Sequence, residues 1–131
     1  MDWKECIKER IVKESKEDKN LIISTREIAE IKIKSADYLS DEFYIGKITL
    51  LYDALRGYLE VLALENGYKI YNHECYSAFL KEIMKLPEEA VMFDKLRKIR
   101  NNLNYYGRRI SHEEAQSIIR DLSLLIDKFK R

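Results

Sequence analysis

At 131 residues, with 46% hydrophobic and 36% charged side chains, four glycines and one proline, the chain is one domain's worth of material. So few breakers leave little room for strands and turns. The 24 Lys and Arg against 23 Asp and Glu give a formal charge of +1, which excludes the bulk basicity of a histone-like or tail-bearing nucleic-acid binder, so any basic surface must be local. No apolar run reaches the roughly 18 residues of a membrane span, and residues 1–19 are charged throughout, without the apolar stretch of a secretion signal. The expectation is a soluble, cytoplasmic protein with no membrane contact. Cys6 and Cys75 lie far apart with no CxxC partner, which predicts two reduced cysteines on helices and neither a disulfide scaffold nor a zinc site.

Over residues 2–18, Trp3, Cys6, Ile7, Ile11 and Val12 recur at helical spacing among Lys, Glu and Arg, predicting an additional N-terminal amphipathic helix within one 1–131 domain. The polar run from Glu14 to Asn20 then separates it from a second helix over about 21–39. There Ile22, Ala29, Ile33 and Ala36 share a broad face, although β-branching at Ile22, Ile23 and Thr25 lowers helix propensity. Ser40 is an N-cap candidate with acidic Asp41 and Glu42 behind it. A long helix follows to about Asn66, where Asn66-Gly67 suits a left-handed C-terminal cap. Tyr44, Ile48, Leu51, Leu55, Tyr58 and Leu62 form one seam of this helix, and Leu50, Ala54, Val61 and Leu64 widen it until it must be covered on several sides. Thr49, Asp53, Arg56 and Glu60 interrupt it on one face, as a solvated stripe with Asp53–Arg56 and Arg56–Glu60 pairs worth a few tenths of a kcal/mol each.

Residues 68–71 read as a connector. Asn72 is placed to cap a short helix from His73 to about Leu86, with Cys75, Phe79, Leu80 and Ile83 inward. Pro87 suits the first turn of the next helix, which carries Val91, Met92, Leu96, Ile99 and Leu103 to a stop near Gly107. Ser111 and Glu114 have capping-box spacing and open a last helix with Ala115, Ile118, Ile119, Leu122, Leu125, Ile126 and Phe129 inward. The predicted architecture is all-α: five to six mostly antiparallel helices in a compact bundle.

There is no glycine-rich phosphate loop, no metal-spaced cluster and no nucleophile elbow, so neither a metal nor another cofactor is expected. The chemically unusual stretch runs from Asp94 to Arg109. It holds six cations (Lys95, Arg97, Lys98, Arg100, Arg108 and Arg109) against one carboxylate, together with three asparagines and the Tyr105-Tyr106 pair. Arg100 with Asn104, and Asn101 with Tyr105, lie one turn apart beside the helix's last carbonyls, which cationic and amide side chains can satisfy.

The run Lys47–Glu60, the following Leu64-Glu-Asn-Gly-Tyr-Lys-Ile-Tyr-Asn-His73 and Leu96-Arg-Lys-Ile-Arg-Asn-Asn-Leu-Asn-Tyr-Tyr-Gly107 together resemble the HEPN superfamily. These are small all-α modules of prokaryotic toxin–antitoxin and defence systems, often found beside a minimal nucleotidyltransferase. The resemblance covers about residues 24–129 and implies a HEPN-like bundle. Its active members resemble metal-independent ribonucleases, with an Arg, a polar residue after it, four to six intervening residues and a His, brought together from two protomers across a dimer cleft. By that resemblance Arg100 matches the motif arginine and Asn101 the polar residue, while Tyr105 and Tyr106 stand where the histidine would be. The candidate catalytic set is thus Arg100, Asn101 and Tyr105. A tyrosine, with a reference pKa near 10, is a poor general base at neutral pH beside a histidine near 6.5.

Three readings follow. In the first, a catalytically weak or inactive HEPN-like module binds RNA or a nucleotide through Arg97, Arg100, Asn104, Tyr105, Tyr106 and Arg108, with tyrosines free to stack on bases. In the second, an active metal-independent ribonuclease or toxin recruits a tyrosine, or a histidine brought in by the fold; His73 and His112 are the only two, His73 reading as a capping or packing residue and His112 as exposed. In the third, the chain is a structural partner of a second copy or of a nucleotidyltransferase. A homodimer is compatible with all three. Convergence of two Arg100 copies in a cleft favours the first two, and burial of Arg100 against Asp53 or Glu60 within one chain favours the third.

Overall fold

The computed structural model describes residues 1–105, 107 and 109–131, with Tyr105 represented by its backbone. The chain begins with a helix, α1 (Trp3–Lys8), whose N-terminus is closed by a reciprocal cap: Asp2 Oδ1 accepts the Glu5 amide at 2.8 Å and Glu5 reaches back to the Asp2 amide. Here the expected helix over 2–18 is corrected. Arg10 adopts a left-handed φ of +59°, and the chain continues as a strand, β1 (Val12–Glu14). The apolar residues at helical spacing are shared between one short helix and the β-branched Ile11-Val12 pair, which the extended backbone accommodates better than a helix does.

Helix α2 (Lys19–Tyr38) is capped by Asp18, whose carboxylate accepts the Leu21 amide at 3.0 Å, and includes the β-branched Ile22–Thr25 run. A single 3-10 turn, Asp41–Phe43, leads into α3 (Tyr44–Glu65). Ser40 precedes that turn without a side-chain cap bond. Gly67, at φ +87°, takes the left-handed position expected after Asn66. It releases the chain into β2 (Tyr68–Ile70), so the segment read as a connector is a strand, antiparallel to β1 with Val12 opposite Ile70.

The fourth helix, α4 (Glu74–Ala78), starts where Asn72 Oδ1 accepts the Glu74 amide at 2.8 Å. It passes into a π-helical turn, Phe79–Ile83, and ends short of Leu86, because Lys85 reverses the chain at φ +59°. Helix α5 (Pro87–Tyr105) opens on its proline as expected. Its buried row is Ala90, Phe93, Leu96 and Leu103, whereas Val91 faces out. Ser111 and Glu114 form the expected capping box of α6 (His112–Phe129), and Ala115, Ile118, Leu122, Leu125 and Ile126 are buried.

The bundle is built around α3, with α2 along one side, α6 along another, and α5 and β2 on the remaining flanks. That explains why eleven of its residues, including Tyr52, Leu55 and Leu59, are buried around the whole helix. One apolar core runs from Trp3 to Ile126. Cys6 and Cys75, both fully buried, are joined in a disulfide with a Cα–Cα distance of 6.1 Å, which corrects the expectation of reduced cysteines. Trp3 beside it packs edge-on to Tyr68 and against Phe79. No described helix is long and apolar enough to cross a membrane.

Candidate functional site

The polar face of α3 is an internal ladder and not the solvated stripe its spacing suggests. Thr49, Asp53, Arg56 and Glu60 are all half-buried, and each meets a different neighbour. Thr49 Oγ1 donates to Asn104 Oδ1 at 3.1 Å. Asp53 takes Arg100 of α5 at 3.5 Å and Lys32 of α2 at 4.0 Å. Arg56 pairs with Glu60 at 3.1 Å, as its i,i+4 spacing predicts, and Glu60 also receives Lys69 from β2. The expected Asp53–Arg56 contact is replaced by these longer-range pairs, because α2 and α5 bring their own cations to Asp53.

Arg100, which the resemblance would make the motif arginine, is packed inside the chain. Its guanidinium lies 5.2 Å from the centre of the fully buried Tyr52 ring, donates to Asp53, and contacts Asn101 Oδ1 at 3.4 Å. Only 14% of its side chain is exposed. Arg97 is held by Asp94 through two bonds at 2.9 and 3.1 Å, and Lys98 adds a third contact to the same carboxylate at 3.0 Å. These contacts hold the Asp94 carboxyl below its ordinary range against the opposing effect of burial. Asn104 is engaged by Thr49. Of the remaining expected site residues, the Tyr105 side chain, Tyr106 and Arg108 lie outside the described residues.

The sequence gives no direct signal for His73 as a neighbour of this cluster, yet the fold brings it there. Its Nδ1 lies 3.0 Å from the hydroxyl of Tyr52, whose ring also carries Arg100. It stands at the start of α4 without forming a cap bond. Burial, reinforced by the positive field of Arg56, Arg100 and Arg97, lowers the imidazole pKa to about 4, with Asp53 opposing. Tyr76, buried beside it, is pushed up to about 12 by burial and by Glu60, and burial likewise raises Tyr52. Burial works to raise Glu60 as well, but Lys69 and Arg56 outweigh it and hold that carboxyl below its usual value. His112 is exposed, in keeping with its place after the Ser111 cap.

Between α2 and α3 this ladder borders a cleft of about 300 Å³, lined by Thr25, Ile28, Lys32, Asp53, Arg56 and Glu60. Along the ladder stand Lys32, Arg56, Lys69 and Arg100 against Asp53 and Glu60, with Arg97 close enough to act on Tyr52 and His73, a local excess of positive charge in a chain of nearly zero net charge. Among the described residues, no group of three His, Cys, Asp or Glu side chains is placed to hold a metal ion. Chemically, the arrangement offers cations that are already paired and a neutral imidazole of very low basicity. No family model, curated protein or solved structure matches the chain.

Proposed function

We propose that this chain is a HEPN-like interaction module without nuclease chemistry, in which the Arg–Asn end of α5 holds the bundle together and does not cleave RNA. The observation that carries this reading is the contact of Arg100 with Asp53 and the Tyr52 ring inside one chain. Metal-free RNA cleavage requires a base for the 2′-hydroxyl and a cation for the phosphorane charge. An imidazole with a pKa near 4 is too weak a base at neutral pH, and Arg100 already has a carboxylate partner. Partners of the kind the HEPN resemblance implies are a second copy or a minimal nucleotidyltransferase.

A second reading, binding of RNA or a nucleotide without turnover, is favoured by the excess of cations along the ladder. One experiment separates the two. Purified protein and Arg100→Ala are compared for RNA cleavage in EDTA, for RNA and nucleotide binding by fluorescence anisotropy, and for melting temperature. The interaction reading expects no cleavage, no binding that depends on Arg100, and destabilisation of Arg100→Ala by about 1–2 kcal/mol from loss of a partly buried ion pair and a cation–π contact. Binding that disappears in Arg100→Ala while the melting temperature holds would establish the second reading. Chelator-resistant cleavage abolished by the same substitution would overturn both in favour of a ribonuclease.

A further inference from the structure

Helix α2 packs on α3 through Ala29 and Ala36, with Ile33 partly buried against the same core. Ile23, Ile28, Ile31 and Tyr38 are 55%, 53%, 61% and 92% exposed. The last three share one stripe. Leu21, Ser24, Ile28, Ile31, Ser35 and Tyr38 succeed one another at intervals of three, four, three, four and three, the alternation of a coiled-coil seam, over a helix length of about 26 Å. Glu27 and Lys34 border this seam on one side, both exposed and without an ion pair among the described residues. On its other side Lys32 is turned to Asp53 of α3.

We infer that the exposed face of α2 is the docking surface for a second copy of this chain, the two α2 helices running antiparallel about a two-fold axis that crosses between residues 29 and 30. The seam is complementary to itself in that arrangement. Ile28 meets Ile31 of the second copy, Ser24 meets Ser35, and Leu21 meets Tyr38, each contact occurring twice by symmetry. Small serine layers flank the central isoleucines, so the backbones approach closely. In antiparallel pairs the flanking residues on like sides of the two seams face each other, which sets Glu27 against Lys34 of the second copy, again twice. A parallel pairing would need the side occupied by Lys32 and α3. The charge complementarity of the open side therefore selects an antiparallel second copy as the occupant. This assignment rests on the reading of the chain as an interaction module and names the partner it takes.

The test is the oligomeric state by sedimentation velocity across the micromolar range, with helix content and melting temperature read on the same samples. Wild-type protein is expected to be dimeric, and I28E/I31E monomeric with an unchanged fold, since both positions are exposed. Glu27→Lys and Lys34→Glu each turn two attractive contacts into two repulsive ones and should weaken the dimer by about five- to twenty-fold. Mixing these two variants restores both contacts, so the mixture should associate as tightly as wild type although neither variant does so alone. A wild-type monomer, a dimer indifferent to I28E/I31E, or a mixture no tighter than its components would overturn the inference. RNA binding or cleavage dependent on Arg100 would instead overturn the reading it rests on, and that readout is independent of the charge exchange.

Discussion

Tyr52 is the residue at which the candidate site and the core become one object. Its ring is fully buried, stacks on Phe93 with centres 5.8 Å apart, carries the Arg100 guanidinium, and bonds His73 through its hydroxyl. Such a hub makes His73 a reporter of folding. In the unfolded chain an imidazole binds its proton near pH 6.5, whereas in the native protein it does so near 4. Between these values the unfolded state holds more protons, so stability is complete above about pH 6.5 and declines as the pH falls toward 4. Allowing for solvent screening of a half-buried ring, the decline attributable to this group is about 1–2 kcal/mol. Urea melts of wild type and His73→Phe at pH 7 and pH 5 check it: the difference between the two pH values should shrink in the variant. An equal decline in both would place the acid sensitivity elsewhere. Tyr52→Phe keeps the ring stack but deprives the imidazole of its partner, and should cost about 1–2 kcal/mol at pH 7 in the same measurement.

Among the elements, the contact of α2 with α3 depends on what is missing at Gly57. A Cβ placed there would lie 3.4 Å from the Ala29 Cβ and 3.8 Å from the Thr25 carbonyl oxygen. Alanine therefore fits, and it should stabilise the protein by about 0.5–1 kcal/mol through the helix propensity that an interior glycine forgoes. Leucine at 57 has no such room and should lower the melting temperature by forcing the helices apart. A thermal melt of both variants checks the sign of each. The long helices were legible in the residues because caps and periodicity agreed: Asp18, Asn66-Gly67, Pro87 and the Ser111–Glu114 box all lie at element ends. The first 18 residues were not, because apolar positions 3, 6, 7, 11 and 12 satisfy a helical period whether or not the chain turns at Arg10. Only the pairing of Val12 with Ile70, a contact between distant segments, decides for a strand. Likewise the stripe at Thr49, Asp53, Arg56 and Glu60 shows its spacing in the sequence but not its burial, which depends on cations supplied by α2, β2 and α5.

At the scale of the whole molecule, the Cys6–Cys75 bond joins the N-terminal segment to α4 across a separation of 69 residues. Spacing alone carries no sign of this pairing. The cysteines meet because α1 docks on α4, where the Trp3 amide donates to Glu82 at 2.6 Å and the Trp3 ring fills the space against Phe79. Closing a loop of that length restricts the unfolded chain by about 4 kcal/mol in the chain-entropy account. For a domain of this size that corresponds to a fall of roughly 15 °C in melting temperature on reduction. Because Trp3, Val12 and Ile70 belong to the same continuous core as α3 and α6, the reduced protein should still unfold in one cooperative transition and not shed its N-terminal segment first. Near- and far-ultraviolet circular dichroism melts with and without dithiothreitol test both expectations, and a C6A/C75A variant should match the reduced protein and ignore the reductant. Two free thiols titrating in the untreated folded protein would show that the bond does not form, and a bonded protein whose melting temperature dithiothreitol leaves unchanged on full reduction would show that it contributes nothing to stability. Separate near- and far-ultraviolet transitions in the reduced protein would show that the N-terminal segment is held by the cross-link and not by the packing of Trp3.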